Sequence, residues 1–511
     1  MLLILSGGLT SAFCALLSAA PTLLIGLFLA ALLRYYLGTA GTRKLFGGES
    51  WISLPQSWLL GMLLPVCSIG VIPMLREMKR AGVRPGALTA FALAAPLFNP
   101  LSLLYGLTLS RPYVICGFAL ASLAVVTILG LLWDRLAAVQ SRPTQDADES
   151  LSGVSRLYAC CVMVCREMCG AGGLWSLAAV SGVFFMAMIL PHGALQTAAE
   201  MDDPWAPARM ACAAAPVYAP PMLTMSQLGM MFQHGNSPGA AFALLLLGTG
   251  VNPATLLWFG TNFRWKATGL WFVSLMAVVI AFAYAIDKPL IPPGVEPAGH
   301  THAFDIYTNP YHEAPTWLHV QNHVTEKVGF AEWCAAGLCL ILAILGAVFR
   351  IGGVMESIID ERTDPANRPT GRWDRNVPPQ LVSAVCLIGL VAFSIVGCYA
   401  YYPSPEEALE EIAIAKSEAL GAANMGNREL ALRWLGEWEE WTRRMEVGAA
   451  IRHFELRPYQ QAQGRVLREK LELLEHELEH DELEMDEIRS ITSGLWSTSR
   501  RYSQAFRRTR D

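Results

Sequence analysis

The sequence predicts an all-α polytopic membrane protein, and three observations carry that prediction. Apolar runs of about 20 residues recur from Ser11 to beyond Val391, the length a helix needs to cross about 30 Å of hydrocarbon. Of 511 residues, 53% are hydrophobic and only 16% charged, a balance suited to helices that face lipid rather than water. Two further apolar runs are broken by proline, and the motifs that follow each break resemble one another. The net charge of −5 comes with no basic stripe, so nothing points to nucleic acid as a partner.

Met1–Thr10 carries no Lys or Arg. A secretory leader normally has a basic start, so Ser11–Leu33 reads as a retained span. The remaining expected spans are Pro85–Leu109, Tyr113–Trp133, Gly173–Leu190, Pro238–Phe263, Gly269–Ile286, Gly329–Phe349 and Gln380–Ala400. The broken segments are Trp51–Met74, interrupted at Pro65-Val66-Cys67-Ser68-Ile69-Gly70-Val71-Ile72-Pro73, and Ala211–Met231, interrupted at Pro216, Pro220 and Pro221. Proline removes a backbone donor and clashes with the preceding turn. Freed polar backbone at membrane depth is tolerated where it lines a cavity or is covered by protein, which is why broken helices mark transport sites.

The two halves repeat. Gly82-Val83-Arg84-Pro85-Gly86-Ala87 matches Gly235-Asn236-Ser237-Pro238-Gly239-Ala240, and in the same ungapped register Asn99-Pro100 matches Asn252-Pro253. Charge placement then decides how the broken segments run. If each dips into the bilayer and returns to its own side, Arg34, Arg43 and Lys44 share a face with Arg76, Lys79, Arg80 and Arg84, with Arg264 and Lys266, and with the Arg-rich Arg350–Arg375 loop. Glu200, Asp202 and Asp203 then fall on the other face, as the Lys/Arg bias of cytoplasmic loops demands. Each repeat becomes an odd number of crossings plus a re-entrant broken-helix hairpin, so the second copy is inverted, and both termini are exocytoplasmic.

The expected organisation is permease repeat 1 over residues 1–140, a cytoplasmic linker over 141–172, permease repeat 2 over 173–286, and an exocytoplasmic His-rich loop over 287–328. Two additional transmembrane helices over 329–400 and an exocytoplasmic helical domain over 401–511 follow. In that last domain Pro405–Leu420, Arg428–Glu446 and Gln460–Arg489 read as helices. The stripe Leu467, Leu471, Leu474, Leu478, Met485, Ile488 has coiled-coil spacing, interrupted at Asp481. It fits packing within the domain, a homo-oligomer contact, or a partner outside the membrane.

The run Pro65 to Pro73, followed by Gly82-Val83-Arg84-Pro85 and Ala95-Pro96-Leu97-Phe98-Asn99-Pro100, resembles the predicted permease family that includes the ArsP-type organoarsenical efflux permeases. The resemblance covers roughly Ala12 to Ile286. The family pattern often reads Cys-Ser-Cys-Gly, where this chain has Cys67-Ser68-Ile69-Gly70. The resemblance implies transport, with export as the direction and a metalloid-like cargo.

The repeat core holds few ionisable groups, so the residues themselves suit a neutral or thiophilic small solute. The candidate substrate-binding residues are Cys67, Ser68, Gly70, Asn99, Ser102, Pro221, Ser226, Asn252 and Thr255. Asn99 and Asn252 either satisfy backbone groups freed by the breaks or contact cargo. Cys161, Cys165 and Cys169 recur every fourth residue and could offer thiolates to a soft metal, or simply pack a helix. His319 and His323 share a helical face in the outer loop and could hold a divalent metal, or belong to a solvated linker. None of the 12 cysteines lies in Asp287–Lys327 or after Tyr402, so no disulfide framework is visible. No cofactor motif is present, and the glycines and lysine of a P-loop are missing. An enzyme would need a base beside Cys67, and none is near in sequence. The alternative function is a membrane-anchored sensor or scaffold that acts through its outer helical domain.

Overall fold

The computed structural model describes residues 2–48, 50–98, 100–110, 112–137, 153–233, 235–291, 301–311, 313–352, 379–479 and 483–507. Among these residues every element is helical. The chain forms two compact units, one of Met1–Leu103 with Tyr113–Leu390, the other of Leu104–Pro112 with Val391–Asp511.

Among the described residues, five helical stretches are long and apolar enough to cross a membrane, two of them kinked at Gly38 and Gly170. They are Leu2–Leu45, Pro112–Ala137, Arg156–Ile189, Trp265–Leu290 and Phe330–Ile351. These account for the expected spans near Ser11, Tyr113, Gly173, Gly269 and Gly329. The first and third run on into π-helical turns at Leu33–Leu37 and Met168–Gly172.

Both proline-rich segments are broken as expected. The helix Ser53–Leu63 ends where Leu64 turns extended, and a helix resumes at Val71–Arg80. Pro73 falls in that helix's first turn, where no intrahelical donor is needed. In the second repeat Ala206–Ala214 ends before Pro216, and Pro221 opens the helix Pro221–Gln233.

Two expected spans need correction. Pro85–Leu109 is two short helices, Pro85–Ala94 and Pro100–Leu109. Pro238–Phe263 is likewise divided into Pro238–Gly248 and Pro253–Asn262, bent by 52°. The reason is local: Pro100 and Pro253 lack the N–H that would continue the preceding helix, and Asn252 caps the new one. Each half therefore contains two breaks, not one.

Equivalent contacts recur at the repeat's fixed offset. Gly82 and Gly235 both adopt positive φ, at 74° and 64°, the conformation only glycine takes without strain. The amide of Gly86 donates to Asp134 Oδ1 at 2.8 Å, and that of Gly239 to Asp287 Oδ1 at 2.8 Å, with 48 residues between partners in each case. A Cβ on Gly86 would collide with the Gly130 carbonyl, and one on Gly239 would press on that of Ala283. A carboxylate thus caps the proline-led helix of each half and ties it to the following span.

The loop after Asp287 departs from a solvated linker over residues 301–311. Phe304, Tyr307, Thr301 and Thr308 are buried. The short 3-10 turn His302–Tyr307 sits on the helix Pro221–Gln233, where Gln227 Nε2 donates to Ala303 O at 2.6 Å and the Tyr307 hydroxyl donates to Gln227 Oε1 at 3.0 Å.

Among the described residues, the part of the second unit after Tyr402 contains four helices, Pro405–Asn424, Arg428–His453, Pro458–Glu479 and Met485–Arg507. The expected helix Gln460–Arg489 is two helices, parted around the Asp481 interruption. Leu467, Leu471, Leu474, Leu478 and Ile488 are buried in one core with Trp438 and Leu495, so the stripe packs within the domain. Arg468 pairs with Glu446 at 2.6 Å, and the Tyr502 hydroxyl donates to Thr442 O at 3.1 Å. Burial raises the Glu446 carboxyl above its ordinary value, and Arg468 pulls it back.

Candidate functional site

The site is built from the breaks. Residues 64–70 cannot be helical past Pro65, so their polar groups must find other partners. Val71 N–H donates to Cys67 O at 3.0 Å and Gly70 N–H reaches Cys67 Sγ at 3.5 Å. The thiol therefore sits inside a tight turn at the start of the next helix. Cys67 and Ser68 are fully buried.

The second break of the other half, between Gly248 and Pro253, supplies the partner. Asn252 caps Pro253–Asn262 through a reciprocal pair, in which Thr255 N–H donates to Asn252 Oδ1 at 3.0 Å and Asn252 N–H to Thr255 Oγ1 at 3.0 Å. With its oxygen so engaged, the side chain's nitrogen turns outward, and Nδ2 donates to Ser68 Oγ at 2.8 Å. That bond joins the breaks of the two halves across 184 residues of sequence.

Of the expected binding residues, the structure brings Cys67, Ser68, Gly70, Asn252 and Thr255 into one buried cluster. Ser102 is buried in Pro100–Leu109, while Pro221 opens Pro221–Gln233 and Ser226 is half-buried along it. Asn99 lies outside the described residues. The structural half of the Asn252 expectation is visible, because its side chain does satisfy backbone at a break.

Sequence reasoning missed Tyr218. It lies in the extended stretch between Pro216 and Pro220, and its hydroxyl is buried beside the Cys67 thiol and the Thr22 hydroxyl. Among the described residues that hydroxyl has no well-formed hydrogen bond. A buried unsatisfied phenol is costly unless something else pairs with it. Glycines Gly26 and Gly182 were also missed. A Cβ on Gly26 would strike the Gly70 carbonyl, and one on Gly182 would strike that of Pro216. The opening helix of each half thus presses a bare backbone against its own break.

The thiols and imidazoles stand elsewhere. Cys161 is exposed, Cys165 buried and Cys169 intermediate. Gly346 lies so close to Cys165 O and Cys169 Cβ that a side chain there would clash, and Cys165 packs with Val162, Leu342 and Phe349. His319 is exposed, whereas His323 stacks edge-on to Tyr311 at 5.8 Å. Burial, then Lys327 and His192, push the His323 imidazole down to about 4. Among the described residues no three His, Cys, Asp or Glu side chains converge as a metal set.

A multi-pass helical protein whose broken segments meet in a buried, uncharged polar cluster is built as a membrane transporter. The chain belongs to the ArsP_1 family of predicted permeases, whose model matches residues 8–288. That family is one of predicted transporters rather than of enzymes. It is also similar to the UPF0718 protein YcgR of Bacillus subtilis (strain 168), with 31% identity over 88 residues, 17% of this chain. The matched stretch spans 30% of that protein's length. No solved structure matches the chain.

Proposed function

We propose that the chain moves a small neutral or thiophilic solute, metalloid-like in its affinity for sulfur, outward across the inner membrane by alternating exposure of the cluster at Cys67, Ser68, Asn252 and Thr255. Gly70, Ser102, Pro221 and Ser226 belong to the walls around it, and Asn99 is a candidate by its place in the sequence motif alone. In this reading the halves are inverted repeats, the segments around Cys67 and Pro220 are re-entrant hairpins from opposite leaflets, and both termini are exocytoplasmic. The observation that carries the reading is the Asn252–Ser68 hydrogen bond, because it joins a break from each half in a cluster that, among the described residues, offers neutral polar groups and one thiol. Tyr218 adds a phenol to the same cluster.

The mechanism follows from the inventory. A thiol and a phenol can hold a soft centre and a hydrogen-bond acceptor without a counter-charge. The Asn252–Ser68 bond is formed in the closed cluster, and cargo that enters between the breaks must replace it. Gly26 and Gly182 let each break slide against its own long helix without a side chain in the way.

The test is a resistance and uptake screen of metalloids and organometalloids in cells with and without the protein, repeated with Cys67→Ser, Tyr218→Phe and Asn252→Ala. Protection by the wild type, lost in the variants at equal membrane abundance, supports the reading. No change for any compound removes the cargo class. Deletion of Ser404–Asp511 leaves flux intact if the permease core does the work, and abolishes function if the chain serves as a scaffold.

A further inference from the structure

The helical domain of the second unit rests on a feature that its own core does not explain. The helix Pro379–Tyr401 has 23 residues and no charged side chain, enough to cross the hydrocarbon. Ser404 caps the next helix, Pro405–Asn424, which has 20 residues and leaves the span's end over about 30 Å. After the turn at Met425–Asn427, Arg428–His453 returns with 26 residues, about 39 Å. The returning helix is longer than the outgoing one by about 9 Å.

Contacts within the unit show which way the excess points. Gly448 meets the start of the outgoing helix, since a side chain there would collide with the Pro403 carbonyl. One turn further on, Arg452 donates to Tyr402 O at 2.8 Å and Pro403 O at 3.1 Å, and its guanidinium lies 5.2 Å from the centre of the Tyr399 ring. Moving from Gly448 to Arg452 therefore moves from Pro403 toward Tyr399, back along the apolar helix. The next residue but one is Phe454. It is 97% exposed and has φ of 61°, the left-handed conformation in which a helix end normally carries glycine. Tyr459, after the bend, is 56% exposed. Arg452, His453 and Arg457 flank these rings, with one acidic residue, Glu455, between them.

We propose that Phe454–Tyr459 is a foot that enters the lipid interface beside the end of the Pro379–Tyr401 span, with Phe454 and Tyr459 among the upper acyl chains and Arg457 at the lipid phosphates. Aromatic rings with basic neighbours are the side chains that favour this zone, and the exposed Tyr399 marks it on the span itself. A phenylalanine held in a left-handed turn and fully bared to water is doubly unfavourable. Seated in the interface, it recovers the burial that the fold withholds.

The full chain in nanodiscs carrying shallow spin-labelled lipid tests the foot. An environment-sensitive fluorescent amino acid is placed at position 454 and, in a second protein, at position 425. Met425 is 83% exposed but lies at the far end of the hairpin. Emission from 454 is expected to fall to roughly half, with that from 425 unchanged, because the interface is only several ångströms deep. Equal emission loss at both positions, or none at 454, overturns the proposal. Phe454→Gly suits the backbone and keeps the domain folded, so hydrogen exchange around Tyr459 should accelerate in nanodiscs only if lipid contact is what protects it. Unchanged or slower exchange in that variant also overturns the foot.

Discussion

The two halves of the permease core share a skeleton and differ in what holds it. In the first, the helix that follows the Cys67 break is ionic. Glu77, 5% exposed, lies 3.8 Å from Arg34 and 4.0 Å from Arg80. Arg76 pairs with Glu167, and Lys79 donates to Asn262 O at 2.9 Å and Oδ1 at 3.0 Å. The matching helix of the second half, Pro221–Gln233, has no charged residue and is covered by the 301–311 segment through Gln227. The carboxylate caps differ in the same sense. Asp134 also holds Arg84 at 2.6 Å, while Asp287 holds the Ser237 hydroxyl at 2.6 Å. One scaffold can thus be fastened by charge on one half and by neutral hydrogen bonds on the other, which lets the two fastenings respond differently to salt and ligand.

The largest expected effects test what the halves have in common. Gly26→Ala and Gly182→Ala each force a backbone carbonyl to move, at a cost of about 3 kcal/mol. Both should lower the thermal unfolding midpoint in detergent by similar amounts, and a harmless alanine at either would break the equivalence. Next come the caps. Asp134→Ala removes a charged pair with Arg84 as well as the amide cap and is expected to cost about 2–3 kcal/mol, against about 1–2 for Asp287→Ala, which removes two neutral-donor hydrogen bonds. Reversed ranking in the same melts would show that Arg84 does not distinguish the halves.

Smaller effects sharpen the contrast. Glu77→Gln and Gln227→Leu are each expected to cost about 1 kcal/mol. Salt up to about 1 M should leave the Gln227 deficit unchanged and reduce the Glu77 deficit only slightly, through the partly exposed Arg34 and Arg80, because a buried carboxylate is screened far less than a surface one. The smallest effect is local and depends on pH. The His323 imidazole titrates near 4 in the folded loop, below the ordinary value of 6.5, so folding favours its neutral form. That contribution is complete above about 6.5 and is lost as pH falls toward 4. Hydrogen exchange across Trp317–Lys327 should quicken over that interval, and His323→Gln should flatten the response.

Much of this architecture was readable in advance, for reasons tied to particular residues. Pro65, Pro216 and Pro221 forbid continuous helix wherever they occur, so the first break of each half needed no partner to be foreseen. The second breaks, at Asn99-Pro100 and Asn252-Pro253, were equally written in proline but were read as intact spans, because a single proline in a long apolar run often only kinks it. Asp134 and Asp287 stand in the repeat's own register and could have been found by extending it. Tyr218 could not, since nothing in its neighbourhood of prolines and small residues says that a thiol from the other half lies beside it.

The sequence alone determined which segments are apolar, where backbone hydrogen bonding must stop, and that the pattern occurs twice. These are properties of short windows, fixed by side-chain hydropathy and by proline's missing donor. Tertiary structure alone decided that Asn252 reaches Ser68, that Tyr218 sits against Cys67, and that the loop around Phe304 and Tyr307 is buried. The helical stripe near Leu474 found its partners inside its own domain for the same reason. Such contacts depend on how helices far apart in the chain are packed, and hydropathy is blind to which of many apolar surfaces will meet.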